Sequence, residues 1–143
     1  MKALVLTFLF LLIAPSGAKI FSRCELASVL KQNKLGYNPD HLGQWMCYAY
    51  YASKFNTEAV HGRSYGIFQI ESITWCSENL TFGRYSRCQT LCSAFTDDDI
   101  TDDIACAMII ASEHMPLTFF WPWVANCRGK NLSKWIRGCN LFD

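Results

Sequence analysis

The chain has 143 residues, with 13 basic and 12 acidic side chains and eight cysteines. At 51% hydrophobic and 15% aromatic it is too apolar to be disordered, and its length suits one domain rather than two. A formal net charge of +1 excludes the basic footprint that nucleic-acid binding needs.

Met1-Lys2 is a short basic start, and Ala3 to Ala14 is an apolar run containing five leucines and two phenylalanines. Pro15-Ser16-Gly17-Ala18 then supplies the small residues of a cleavage site. This pattern predicts a secretory signal peptide over 1–18, leaving 19–143 as an extracellular domain. At about twelve residues the run is too short for a membrane anchor, and no later stretch is long and apolar enough to span.

Further along, Cys24, Leu26, Ala27, Leu30 and Lys31 recur at helical spacing and stop before Gly36-Tyr37-Asn38-Pro39. Leu42 to Phe55 is apolar enough for a buried helix. Ser64-Tyr65-Gly66-Ile67-Phe68-Gln69-Ile70 reads as a strand after a turn at Gly62. Ile100 to Ser112 predicts a helix with Ile104, Ala107, Met108 and Ala111 on one face. Pro116 and Pro122 then break up a region rich in Phe119, Phe120, Trp121 and Trp123. With no repeat or linker, the expectation is one α+β domain, helical at both ends, acting as a monomer.

None of the cysteines forms a Cys-x-x-Cys pair, and no histidine lies at zinc-ligand spacing, so disulfides are the expected use. Eight cysteines allow 105 connectivities, which spacing cannot resolve. His41, His61 and His114 are scattered and read as surface residues. Asn79-Leu80-Thr81 and Asn131-Leu132-Ser133 are glycosylation sequons.

The charge distribution is uneven. Asp97, Asp98, Asp99, Asp102 and Asp103 hold five of the twelve acidic side chains within seven residues. The positive end of a helix dipole explains one or two of them. A hard, oxygen-seeking cation such as Ca²⁺ explains more. An EF-hand is excluded, because Asp102 and Met108 stand where its sixth-position Gly and twelfth-position Glu belong.

Several phrases resemble the C-type lysozyme and α-lactalbumin family (glycoside hydrolase family 22). They are Lys19 to Ala27, Trp45-Met46-Cys47-x-Ala49, Tyr65 to Ile70, Trp75-Cys76, Cys92-Ser93-Ala94, Cys106-Ala107, and Trp135 before Cys139. The resemblance covers essentially all of 19–143 and implies a helical lobe with a small β-subdomain. It also implies the pairs Cys24–Cys139, Cys47–Cys127, Cys76–Cys92 and Cys88–Cys106. The two long-range pairs would each be worth about 4 kcal/mol through loop closure.

Enzymes of that family use two carboxylates, one a general acid and the other an ionised partner at the oxocarbenium-like centre. By the resemblance the acid falls five positions after Cys47, where this chain has Ala52. The second falls directly before Tyr65, where it has Ser64. The hairpin before Tyr65 is also trimmed. Glu71 is a candidate to return charge near Ser64, but no Asp or Glu lies between Asp40 and Glu58 to replace the acid. Loss of muramidase activity is expected, since a positioned acid alone contributes about 10²–10⁴-fold.

The acidic run resembles the family's calcium elbow. On that match Asp97, Asp102 and Asp103 give side-chain oxygens, Ala94 and Asp99 give carbonyls, water completes the shell, and Asp98 points outward. Trp75 matches a sugar-contacting aromatic, whereas Thr74 and Phe120 replace others. Tyr50-Tyr51 and Lys134-Trp135 stand where α-lactalbumin meets its galactosyltransferase, with the aromatics kept and the His and Gln lost. Trp45, Trp123 and Trp135 are expected in the core. The leading expectation is a secreted calcium-binding protein that recognises a glycan or a protein. A regulatory subunit of a galactosyltransferase and a residual lysozyme are the alternatives.

Overall fold

The computed structural model describes Gly17 and residues 19–79, 86–113 and 120–142. The expected leader, apart from Gly17, lies outside the described residues, as do His114, Pro116, Phe119 and Thr81 of the first sequon.

Helix α1 spans Arg23–Gln32 and buries Leu26, Ala27 and Leu30. Glu25 accepts a hydrogen bond from Ser22 N in its first turn, the back half of a capping box. Helix α2 runs Pro39–Ser53, starting three residues before the predicted Leu42. The reason is local: Asn38 Oδ1 accepts from His41 N at 2.8 Å, and Pro39 occupies the first turn. That chemistry starts a helix as well as it stops one.

The predicted strand from Ser64 to Ile70 is divided. Strands β1 (Val60–His61), β2 (Ser64–Tyr65) and β3 (Ile70–Glu71) form an antiparallel three-stranded sheet in the order β1-β2-β3. Between β2 and β3 the chain turns into the core, with Gly66 and Gln69 at positive φ and Ile67 and Phe68 buried. Its carbonyls are taken by α2: Ser53 Oγ donates to Ile67 O at 2.7 Å, and the Tyr48 hydroxyl donates to Phe68 O. Hydrogen bonding to a helix has replaced strand pairing there.

A 3₁₀ turn at Cys92–Thr96 leads to α3, Thr101–Glu113. Ile104 and Ala107 are buried as expected, but Met108 is 42% exposed. The inward face instead runs through Asp103, Ile104, Cys106, Ala107 and Ile110. Helix α4 is Trp121–Asn126, and a final 3₁₀ turn spans Ser133–Trp135.

Helix α2 is the hub of the core. Trp45 lies edge-on to Tyr48, Phe68 and Phe120, arrangements that add to their burial. Trp123 donates from Nε1 to Gln44 Oε1 at 2.7 Å, which fastens α4 to α2. Trp45, Trp123 and Trp135 are all buried. The disulfides join Cys24 to Cys139, Cys47 to Cys127, Cys76 to Cys92 and Cys88 to Cys106. Two clamp the helical ends, and two pin the irregular middle beside α3. Among the described residues no helix is long and apolar enough to cross a membrane.

Candidate functional site

Between α2, the sheet and the start of α4 lies a cleft of about 380 Å³. Ala52 and Ser64, brought from separate elements, both line it. Ser64 pairs directly with Glu71 across the β2–β3 ladder, so the sequence-predicted substitute carboxylate does reach the cleft wall. No carboxylate takes the place at Ala52: among the described lining residues, Glu71 is the sole acid. Burial pushes the Tyr48 phenol up, so it stays protonated, and its bond to Phe68 O occupies that proton. What remains can bind and hydrogen-bond, but it holds no acid beside Ala52.

The aromatic residues divide between two places. Trp75 lines the cleft but is only 1% exposed, its ring packed into the wall. Trp121, 74% exposed on the rim, is the aromatic that meets solvent there. Tyr50, Tyr51 and Trp135 form a separate cluster: Tyr50 lies 5.0 Å and Tyr51 6.2 Å from Trp135, centroid to centroid. Tyr51 supplies its exposed part. Asn79 and Asn131 are both exposed.

Two cleft residues escaped the sequence reading. His61 is exposed, as the sequence predicts, but it also lines the cleft, and Gln69, which reads as one letter of a strand, lines it too. The two-residue gap between His61 and Ser64 was the available signal, since a tight hairpin places its flanking side chains on one face.

The acidic loop is built differently. Asp99 Oδ1 accepts from Thr101 N at 3.0 Å and from the Thr101 hydroxyl, starting α3. Those bonds hold its carboxyl below the ordinary range. Asp97 Oδ1 accepts from Asp99 N at 3.1 Å. Its carboxyl is raised by burial and then by Asp102. Asp103 is fully buried, and neither carboxylate oxygen has a hydrogen-bond partner among the described residues. Burial, followed by Asp102 and Asp97, pushes it up to about 10.

Asp97, Asp102 and Asp103 thus lie close enough to repel one another, and one is an orphaned buried acid. Among the described residues, however, no three His, Cys, Asp or Glu side chains are already gathered around a metal position. An all-oxygen set of carboxylates suits a hard cation. A buried carboxylate needs such a partner or a proton.

Comparison with known proteins gives a consistent picture. A family model described as the C-type lysozyme/alpha-lactalbumin family matches residues 19–139. Lysozyme C, milk isozyme, of Canis lupus familiaris is 43% identical over 130 residues, covering 86% of this chain and 100% of the relative. Lysozyme-like protein 1 of Mus musculus is 40% identical over 130 residues, 87% of each chain. Lysozyme C-2 of Sus scrofa is 37% identical over 146 residues, 99% of this chain and 100% of the relative.

Proposed function

This chain belongs to the C-type lysozyme/alpha-lactalbumin family, and on that premise we propose that it is a secreted, calcium-binding member that binds rather than cleaves. The observation that carries the reading is the cleft itself, with Ala52 and Ser64 on its walls where the resemblance implies two carboxylates. The alcohol of a glycosidic bond leaves poorly without a proton, and among the described residues no carboxylic acid stands at Ala52 to donate one. The cleft's remaining groups suit a saccharide or protein ligand whose glycosidic bonds stay uncut. Secretion is supported by the apolar leader and by four disulfides of a kind that persists in oxidising compartments.

Calcium is supported by the donor chemistry of the loop. Asp97, Asp102 and Asp103 would hold it through carboxylates, and Ala94 and Asp99 through backbone carbonyls. When bound, the ion supplies the positive charge that buried Asp103 lacks.

The test is turnover of bacterial cell walls by the purified protein, with calcium and with chelator. No hydrolysis is expected, and a rate near that of an ordinary lysozyme overturns the reading. A second reading, regulation of a galactosyltransferase, draws on the partly exposed Tyr50–Tyr51–Trp135 cluster. Altered acceptor preference of a galactosyltransferase assayed with glucose would favour it.

A further inference from the structure

The face of the sheet turned to the cleft carries a polar arrangement that the missing carboxylates leave unexplained. His61 of β1 pairs in register with Ser64 of β2. Directly opposed side chains share a face, with Cβ atoms about 4.5–5.5 Å apart, so the hydroxyl and the imidazole stand side by side on it. Gln69 arrives from the turn before β3. Its Nε2 donates to Ala59 O at 3.0 Å and to Gly66 O at 2.9 Å. Two carbonyl acceptors fix which end of that amide is nitrogen. Oε1 is therefore the atom 3.0 Å from His61 Nδ1. A carbonyl oxygen only accepts, so Nδ1 carries the hydrogen and Nε2 is left as the basic nitrogen of the neutral ring. Ser64, His61 and Gln69 all line the cleft.

We propose that the cleft holds a serine acyl-transfer site for small neutral carboxylic esters, such as O-acyl groups on saccharides. Ser64 is the nucleophile, His61 its base, and Gln69 the positioning residue that sets the ring's tautomer. The inference goes beyond the loss of glycosidase chemistry and depends on neither calcium nor a restored carboxylate. Ser64 Oγ bonds to the ester carbonyl carbon while His61 Nε2 takes the hydroxyl proton. The carbon–oxygen bond to the alcohol then breaks, and the same proton goes to the departing oxygen. Water attacks the acyl-serine, again giving its proton to Nε2, and the carboxylic acid leaves as Ser64 recovers a proton. Ester and water are the only reactants.

The surroundings fit that class. Tyr48, Ala52 and Phe120 offer an apolar floor for an acyl group, and no Lys or Arg occurs among the described lining residues to select an anion. Glu71, on the far side of Ser64, is the other titratable group on this wall.

The experiment uses the full protein with a fluorophosphonate probe, adducts being located by peptide mass spectrometry, and p-nitrophenyl acetate turnover as a second readout. A single adduct on Ser64 is expected, absent in Ser64→Ala, with labelling slowed at least about tenfold in His61→Ala. The labelling rate should fall with an inflection at the pH where acid protonates His61 Nε2, since the protonated ring is no longer a base. Gln69→Glu should move that inflection to higher pH, a change that disturbed folding would not produce. Should Gln69→Glu fail to fold, ¹⁵N NMR of the native His61 ring reads the tautomer directly, with Nε2 unprotonated as the expected result. No adduct at Ser64, ester turnover indifferent to Ser64→Ala, or a proton on Nε2 overturns the proposal.

Discussion

The cleft and the acidic loop are incomplete in opposite ways. The cleft has a volume of about 380 Å³ and an apolar floor, yet Ala52 and Ser64 supply no acid. The loop keeps every acidic side chain that the resemblance implies, yet leaves the Asp103 carboxylate buried with no hydrogen-bond partner among the described residues. Losing an acid from a cleft costs the fold nothing, because the vacated position is apolar or solvated. Keeping a buried acid is unfavourable unless something pays for it. A fold therefore tolerates the first change silently, whereas the second calls for a proton or a cation.

Restoring the acids is the strongest way to break that contrast. Ala52→Glu with Ser64→Asp should raise cell-wall hydrolysis by about 10²–10⁴-fold or more over the parent, since general-acid catalysis alone accounts for that range. Ala52 is 7% exposed, so a glutamate there enters apolar surroundings that raise its pKa as a general acid requires. Ala52→Glu alone should give less than the pair. If the double variant folds and remains inert, the trimmed hairpin rather than the missing acids has closed the chemistry.

Calcium should produce the next largest effect, on stability. At a free concentration a thousandfold above Kd, binding adds about 4 kcal/mol, a Tm rise of roughly 10–20 °C for a domain of this size. Calorimetry with calcium and with chelator measures it, and coincident melting curves would remove the metal from the account. The metal-free protein should also carry a pH signature. Asp103 is raised to about 10 and Asp97 is raised as well. The folded state therefore holds protons that the unfolded chain gives up, and stability falls as pH climbs from about 4 toward 10. Asp99, held low, acts in the opposite sense and loses its contribution only as pH falls through the acid range. Saturating calcium should flatten the alkaline slope, because the metal replaces the proton on Asp103.

Gly66 joins the two regions and tests whether they are independent. A Cβ there would lie 2.1 Å from Phe95 O and 2.7 Å from Asp103 Oδ2, at a φ of +81° that side chains rarely adopt. Gly66→Ala should cost about 3 kcal/mol or more and should disturb both the calcium response and the Ser64–Glu71 pairing. Denaturant unfolding with and without calcium separates these effects. An undiminished calcium response in a folded variant would show that the loop does not depend on this contact.

How much of this was legible in the sequence follows from the range of the interactions involved. The helices were, because their apolar spacing and caps are local. The exceptions are α2, which runs Pro39–Ser53 rather than Leu42 to Phe55 because Asn38-Pro39 serves both as stop and as start, and α4, where Pro122 reads as a breaker but fits a first turn. The division of Ser64 to Ile70 into two strands was not legible. It depends on Tyr48 and Ser53, from another element, claiming the carbonyls of Phe68 and Ile67. Met108 failed for a similar reason: α3 turns the acidic Asp103 inward, shifting its buried face away from the purely apolar stripe. In the cleft, Ala52 and Ser64 were found through family phrasing, while the His61–Gln69 contact rests on a side chain crossing a turn and left no periodic trace.

The smallest predicted effect discriminates among neighbours within the loop. Asp98 is half-buried, and its charge is among those that raise Asp97. Asp98→Asn should therefore stabilise the metal-free protein slightly, by no more than about 0.5 kcal/mol, as one repulsion is relieved at a surface position. Its calcium-induced Tm rise should be unchanged, because the side chain is assigned no ligand role. Asp97→Asn should relieve as much repulsion or more in the metal-free state, yet lose most of the calcium-induced rise, since there a ligand is removed with the charge. Simple repulsion would make the two variants alike, whereas coordination makes them differ only when calcium is present. Parallel calorimetry of the pair, with and without calcium, thus decides whether the loop is a site or merely an acidic surface. A calcium response lost equally in both variants would refute the ligand assignment.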